Sequence, residues 1–532
     1  MSEVIMPEVT GRRKAYGIIT ILLLVVYLIV GILKWELDPH IPLILGTITA
    51  AILARLDGTK WDVVEKGMYQ SIMMAMQACI ILLVIGMLIA SWLAGGIVPA
   101  MIYYGLQIIN PQFFFVTACL LSTIVALATG SSWTTAGTVG IALVGIAKAL
   151  NIDPAMAAGS IVAGAYMGDK MSPLSDTTNL APAIAGTTLF DHIKSMVYTT
   201  VPSYIIALVG YVILGFVTVK GSGGDLAQIA DLQNVLDSAF NINILLLLPP
   251  LIIVGMVVFK LPALPGLMLA TVLGILCTVF IQGQSDMAGI LGQLHYGYEF
   301  DGSTLPNADH VAQFFNEYSL VDGGNFYNGM EYFTGAVPEG GSAMDVLNTT
   351  TAAANLPNQP QILLDVQSLL TRGGLDSMLW TVSLIFCAMC FGGAMEASGM
   401  LVSLVDSLKG LIGKPWSLVL TSILTAIAVN ILAADQYVSI VLPGRMYKEG
   451  FRKLNLAPRV QSRVLESGGT ITSALVPWNT CGATMMGFLG VSPFAYAPYA
   501  FFNLINPVAE VIAAATGYAM FPDDGSDHVD AV

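Results

Sequence analysis

Long apolar runs separated by short polar breaks organise this chain. Ile18–Leu33, Ile242–Phe259 and Met378–Phe391 are almost wholly hydrophobic, close to the ~20 residues a helix needs to cross a bilayer. The same pattern predicts spans at 16–34, 40–55, 71–91 and 197–218 and a broken span over 155–190. The segment 112–148 reads as either a re-entrant hairpin or two short spans. Gly95-Gly96 and Asn110-Pro111 bracket 97–109, which predicts a segment lying at the membrane interface. One break is unusually polar. Residues 168–179, GDKMSPLSDTTN, carry two aspartates, a lysine and a proline between apolar flanks.

Composition supports a membrane setting. Of 532 residues, 55% are hydrophobic and 11% charged, and mean hydropathy is +0.76; soluble domains carry about 25% charged residues. The fold class is an all-α polytopic membrane protein. The net charge of −14 comes largely from one acidic loop and the C-terminal tail, so it does not point to nucleic acid or another partner class. Arg12-Arg13-Lys14 precede the first apolar run, and no small-residue cleavage site follows Leu33, so that run reads as a retained span. The six cysteines lie in apolar stretches. Cys387 and Cys390 form a CxxC without a second pair, which favours structural cysteines over a metal site. The chain lacks a P-loop, a dinucleotide fingerprint and a nucleophile–base pair. Neither an ATP-driven pump nor an enzyme is expected, and no cofactor is implied.

The sequence also matches itself at a shift of 304 residues. Pro111 meets Pro415, Asn151 and Pro154 meet Asn455 and Pro458, Gly164 meets Gly468, and Pro173 meets Pro477. Identities cluster at residues that mark backbone irregularities. The first half has an odd number of crossings, so the second half starts on the opposite side. Basic residues agree. Arg12, Arg13, Lys14, Arg55, Lys60 and Lys66 mark one side, no Lys or Arg occurs between 261 and 371, and Lys409, Lys414, Arg445, Lys448, Arg452, Lys453 and Arg459 return to the first side. The expected divisions are a tail at 1–15, a first repeat at 16–220, a connection at 221–241, a second repeat at 242–520 with an acidic extracytoplasmic insertion at about 284–375, and a tail at 521–532. Both tails are expected in the cytoplasm. Inverted repeats with interrupted helices are typical of secondary transporters, which bind cargo near the midplane where helices break.

Two breaks supply candidate chemistry. SPLSDTTN at 172–179 and SALVPWNTCGA at 473–483 each free carbonyls and hydroxyls around a proline, and non-helical backbone at membrane depth is tolerated only where it is buried or lines a cavity. Ser172, Ser175, Thr177, Asn179, Asn479 and Thr480 are candidate neutral ligands. Asp169, Asp176, Glu396, Asp435 and Glu466 are candidate ion- and proton-binding carboxylates, since charges inside a membrane are expensive and usually functional. A cation set of Asp176, Thr177, Asn179, Asp435 and Asn479 fits Na⁺; ion and proton competing for one carboxylate site is the simplest basis for exchange. Plainer readings stand beside these. Asp169 pairs with Lys170, or Lys170 snorkels to the interface; Asp176 caps a helix; Glu396 is interfacial; Glu466 pairs with Arg463 one turn before it.

GDKMSPLSDTTNLAPAIAGTTLFDHIK at 168–194 resembles the signature stretch of the NhaC family of Na⁺/H⁺ antiporters, in the ion transporter superfamily. LLTRGGLDSM at 369–378, AADQY at 433–437 and ESGGTITSALVPWNTCGA at 466–483 extend the resemblance over nearly the whole chain. It implies a bacterial inner-membrane exchanger of Na⁺ against H⁺ working by alternating access, and a homodimer. It also implies two inverted repeats of about five spans, each with a re-entrant hairpin and a broken helix. On that resemblance 112–148 and 415–448 are the hairpins, with tips near Thr129–Trp133 and Asn430–Gln436. The alternative from a neighbouring branch is Na⁺-coupled exchange of small carboxylates such as malate and lactate. Lys170 and Arg463 are the few buried cations, each beside an acid, and this favours a cation as sole cargo.

Overall fold

A computed structural model describes residues 10–35, 37–108, 110–150, 152–219, 233, 236–237, 239–258, 263–300, 370–371, 373–406, 413–523 and 525. Most of the acidic insertion, much of the 221–241 connection, the start of the N-terminal tail and the end of the C-terminal tail lie outside the described residues. The described chain is predominantly helical; an antiparallel bridge joins Leu456 to Pro522.

The first half comprises α1 (Gly11–Trp35), α2 (His40–Leu56), α3 (Trp61–Ala94), α4 (Ile97–Ile108), α5 (Phe114–Thr129), α6 (Ile141–Ala149), α7 (Pro154–Met171), α8 (Asp176–Ala185) and α9 (Leu189–Thr218). The second comprises α10 (Leu248–Val258), α11 (Ala263–Phe280), α12 (Met287–Tyr296), α13 (Leu375–Ala397), α14 (Met400–Asp406), α15 (Pro415–Leu432), α16 (Gln436–Lys453), α17 (Pro458–Leu465), α18 (Thr480–Leu489) and α19 (Phe501–Thr516). Among the described residues six helical stretches are long and apolar enough to cross a membrane: Gly11–Gly31, Trp61–Ala94, Pro111–Thr129, Leu189–Thr218, Leu375–Ala397 and Pro415–Leu432. Pro493–Tyr499 and Phe501–Thr516 form a pair bent by 60°. The chain is thus an all-α polytopic membrane protein. The 34-residue α3 outruns the predicted 71–91 span; at 1.5 Å per residue it is roughly 51 Å long, more than a bilayer core requires. The 12-residue α4 is roughly 18 Å long, too short to cross alone.

The 304-residue shift carries through to local geometry. α8 and α18 are both ten residues long and superpose in number under that shift. Gly130 and Ala434 both take left-handed backbone, at φ 65° and 56°. Gly186 and Gly490 do the same after the short helices, at 88° and 68°. Ser131 and Asp435 cap the helical turns that follow, and Ser175 and Asn479 cap α8 and α18.

Glycines set the close approaches. A Cβ at Gly164 would stand 2.1 Å from the Cys119 carbonyl oxygen, and one at Gly168 would stand 2.4 Å from that of Thr123. Contacts advancing together along both helices make α5 and α7 parallel neighbours. The long helices α3 and α13 run the other way. Gly67 meets Gly393 at one end, and at the other the Gly374 N–H donates to the Gly86 carbonyl at 2.8 Å. α9 and α19 are likewise antiparallel: Tyr211 stacks on Phe501 at 4.8 Å, and Tyr198 meets Tyr518 at 6.0 Å. Near the start of α1, Arg13 Nε pairs with Asp57 Oδ2 at 2.8 Å and Arg12 donates to the Leu56 carbonyl. The basic N-terminal cluster and the loop after α2 therefore share one end of the molecule.

Candidate functional site

Two hairpin tips meet two broken helices. In the first half, α5 stops at Gly130, where a Cβ would stand 2.6 Å from the Leu174 carbonyl carbon. The tip is thereby pressed against the Ser172–Ser175 break. In the second half the Thr480 N–H donates to the Ala434 carbonyl at 2.9 Å, which seats that tip on the break before α18. Ala434 holds a left-handed backbone that costs a non-glycine residue about 1–2 kcal/mol. Such strain persists where surrounding contacts fix it, often at functional positions. The halves also interlock. Gly444 of α16 packs on Ile184 of α8, and Gly137 in the π-helical turn Ala136–Gly140 faces Phe488 of α18.

Most neutral side chains of the first break are committed to holding it. Ser172 Oγ donates to the Leu127 carbonyl at 2.8 Å, and Thr178 Oγ1 returns to the carbonyls of Asp169 and Lys170 at 3.2 and 3.0 Å. Ser175 Oγ lies 3.1 Å from Thr177 Oγ1. Asn179 is exposed, and its amide nitrogen donates to the carbonyls of Pro173 and Ser175 at 3.0 and 2.6 Å. The amide of Asn479 caps α18 through the Cys481 N–H and donates to Asn430 Oδ1 at 3.0 Å. Thr480 Oγ1 lies 3.4 Å from Asn479 Oδ1. Asn430 in turn donates to the Gly469 carbonyl at 2.7 Å and to Thr472 Oγ1 at 3.0 Å. These hydrogen bonds stabilise opened backbone, the need that any helix break creates.

The carboxylates occupy distinct environments. Asp169 is 5% exposed, and its Oδ2 accepts from the Ser132 N–H at 3.0 Å and Ser132 Oγ at 2.7 Å. Its Oδ1 has no hydrogen-bond partner among the described residues. Asp176 is exposed at the start of α8, and the cap there is Ser175. Tyr437 donates its hydroxyl to Asp176 Oδ2, linking the first break to the second hairpin. Asp435 is 2% exposed and caps α16, accepting from the Val438 N–H at 2.9 Å. Glu396 is half-buried on α13, one turn beyond Gly392, whose Cβ would stand 2.5 Å from the Ala433 carbonyl oxygen. Glu396 therefore sits beside the second tip rather than at an isolated interface.

Glu466 is the group left open. It begins the π-helical turn Glu466–Thr470 and is 0% exposed, and neither carboxylate oxygen has a hydrogen-bond partner among the described residues. Arg463, the neighbour expected to neutralise it, turns elsewhere. Its Nε lies 3.0 Å from Glu510 Oε1, and its Nη1 donates to Ser195 Oγ at 3.1 Å and the Ala519 carbonyl at 3.0 Å. Lys170 is equally buried and bonds neither to Asp169 nor to the membrane surface. Its Nζ donates to Ser467 Oγ at 2.6 Å and Asn506 Oδ1 at 2.8 Å. Ser467 passes its own hydroxyl to Glu510 at 3.1 Å, and Thr199 donates to the same carboxylate at 2.6 Å. Charged groups inside a membrane persist when they are paired or functional. Arg463 and Glu510 are paired. Both oxygens of Glu466 and Oδ1 of Asp169 have no hydrogen-bond partner among the described residues.

Glu510, Ser132, Asn430, Tyr437 and Ser467 were not among the sequence candidates. Glu510 carried a readable signal, as the only charged residue in FFNLINPVAEVIAAAT. The others show themselves only through partners distant in sequence.

A family model described as the Na⁺/H⁺ antiporter family matches residues 164–317 and 340–518. The chain is 34% identical to the Na⁺/H⁺ antiporter NhaC of Alkalihalophilus pseudofirmus, over 95% of this chain and 97% of that protein. It is 33% identical to the arginine/ornithine antiporter ArcD of Halobacterium salinarum, over 96% of this chain and 94% of that one. It is 30% identical to the malate-2H⁺/Na⁺-lactate antiporter of Bacillus subtilis, over 91% and 90%.

Proposed function

From the premise that the chain belongs to the Na⁺/H⁺ antiporter family, we propose that it exchanges Na⁺ for H⁺ across a bacterial inner membrane by alternating access. The observation that carries this reading is Glu466, a wholly buried carboxylate without a hydrogen-bond donor among the described residues, at a broken helix. A carboxylate that is satisfied by neither side chain nor backbone is suited to a transported cation or a proton. Asp169 Oδ1 adds a second open oxygen. Of the cation set read from the sequence, Asp176 and Asp435 stand on either side of Tyr437 and serve as further stations for Na⁺ or H⁺ on the way to that pair.

We further propose that residues 16–220 and 242–520 are inverted repeats. In support, α3 and α13 occupy matching places in the two halves and run antiparallel, as do α9 and α19. Each tip rests on the break of its own half while α8 and α18 pack on the hairpin of the other. Rocking of one set against the other alternates access to the site. The Tyr437–Asp176 contact crosses that boundary and has to open during the cycle. On this reading the tails are cytoplasmic and the unit is a homodimer.

The relatives include exchangers named for malate and lactate and for arginine and ornithine. An organic anion would need an uncommitted buried cation, and both Lys170 and Arg463 are engaged with partners in the chain. Among the described residues the buried carboxylate oxygens without a hydrogen-bond partner are both of Glu466 and Oδ1 of Asp169, whereas the one open guanidinium nitrogen, Arg463 Nη2, belongs to a side chain already paired with Glu510; this favours a cation. In everted vesicles with an acid interior, external NaCl alone is expected to dissipate the proton gradient as Na⁺ enters and H⁺ leaves, with no organic acid or amino acid present. Strict dependence on malate, lactate or arginine would replace this reading with exchange of an organic cargo.

A further inference from the structure

Lys170 is hydrogen-bonded within the chain, and its ammonium is buried amid the site. It comes from the last turn of α7, adjacent in sequence to Asp169. The charges around it arrive from every element packed on it: Glu466 from the π-helical turn, Glu510 from α19, Arg463 from α17, and Asp169 on its own helix. His192 of α9 adds a further titratable group, with Nδ1 2.7 Å from Ser462 Oγ. The Lys170 ammonium is hydrogen-bonded to two neutral oxygens, from Ser467 and Asn506. Ser467 is anchored in turn by Glu510, and Glu510 is fixed by Arg463. Because Glu466 has no hydrogen-bond partner among the described residues, this tether leaves the ammonium within electrostatic reach of Glu466 without a hydrogen bond to it.

The count of charge is informative. Lys170 and Arg463 face Asp169, Glu466 and Glu510, all five buried. When all are ionised the group carries one excess negative charge, which one Na⁺ or one H⁺ cancels. Without Lys170 the excess doubles, and a buried excess charge holds its counter-ion tightly.

We propose that Lys170 is a tethered internal counter-cation of Glu466, positioned by Ser467, Asn506 and the Arg463–Glu510 pair, that weakens the hold of the site on both Na⁺ and H⁺ enough for each to be released. The inference rests on the Na⁺/H⁺ reading above. Lys170 is a positioning residue: it acts on the cargo through Glu466 and Asp169, and its removal affects both competing ions in the same direction.

That symmetry yields a signature. With both ions bound more tightly, the pH at which proton release becomes half-complete moves alkaline. Above that pH the apparent KM for Na⁺ falls. Well below it, where proton and Na⁺ compete, the two changes cancel and KM stays as in the wild type. Loss of structure lowers the maximal rate and does not produce this pattern.

The experiment is Na⁺-driven proton flux in proteoliposomes, read as KM and maximal rate from pH 6 to 9.5. Lys170→Gln is expected to raise the pH midpoint by about one unit and lower the alkaline KM roughly tenfold, with a reduced maximal rate. Lys170→Arg restores the wild-type midpoint. Ser467→Ala keeps the charge and cuts the tether. It frees the ammonium to pair with Glu466, so the alkaline KM rises and the midpoint moves acid. Wild-type midpoint and alkaline KM in Lys170→Gln overturn the inference. If that variant is not recovered folded, an unchanged midpoint in Ser467→Ala overturns it. A wild type that moves no protons on addition of NaCl instead overturns the exchange reading, a result separable from either variant outcome.

Discussion

Glu466→Gln is expected to lower Na⁺-driven proton exchange by roughly 100-fold while leaving the protein folded. The change removes one charge and little volume at a position where neither carboxylate oxygen accepts a hydrogen bond among the described residues. No hydrogen bond among the described residues is lost, so the fold is expected to survive the change. A carboxylate and a monovalent ion about 4 Å apart interact by about 4 kcal/mol at the effective dielectric found near protein surfaces. Part of that is offset by desolvation, and a 100-fold effect corresponds to about 2.7 kcal/mol. Asp169→Asn is expected to be milder, because Asp169 Oδ2 is held by Ser132 and only Oδ1 is open. Flux in proteoliposomes, paired with a detergent thermal-unfolding curve, separates lost binding from lost folding. Glu466→Gln exchanging at the wild-type rate would remove Glu466 from the site.

The largest stability effect is expected at Arg463→Met, a loss of about 3–5 kcal/mol. Arg463 is fully buried, and its guanidinium holds the Glu510 carboxylate at 3.0 Å as well as Ser195 and the carbonyl of Ala519. Removing it strands a buried carboxylate beside Ser467 and Thr199, whose hydroxyls cannot neutralise it. Replacing a whole buried pair by apolar residues is far better tolerated than breaking it. Arg463→Met with Glu510→Leu is therefore expected to recover more than half of the loss. Thermal unfolding of the purified single and double variants checks this. A double variant less stable than Arg463→Met would show that the pair is not the main term.

What could be read from the sequence follows physical range. The spans were legible because a bilayer imposes length and hydropathy on each one. The two breaks were legible because Pro173 and Pro477 forbid continuous helix and the 304-residue shift aligns them. The pairing of charges was not legible. Arg463 and Glu466 stand one helical turn apart, the spacing that normally brings side chains together. The π-helical turn begins at Glu466, and Arg463 instead meets Glu510 on α19, which packs alongside. Lys170 likewise turns from its neighbour Asp169 to Ser467 and Asn506. The bonds from the Asn179 amide nitrogen that close the local break were not legible either. For both cations a short-range rule lost to partners 47 to 336 residues away.

The central claim is that Na⁺ and H⁺ compete for the buried carboxylates Glu466 and Asp169. It is tested most directly by adding NaCl to the purified protein in weakly buffered detergent and recording proton release across the pH range. The account predicts protons released as Na⁺ binds in the wild type, and release lost in Glu466→Gln. Na⁺ binding without proton release, or release undiminished in Glu466→Gln, would contradict it.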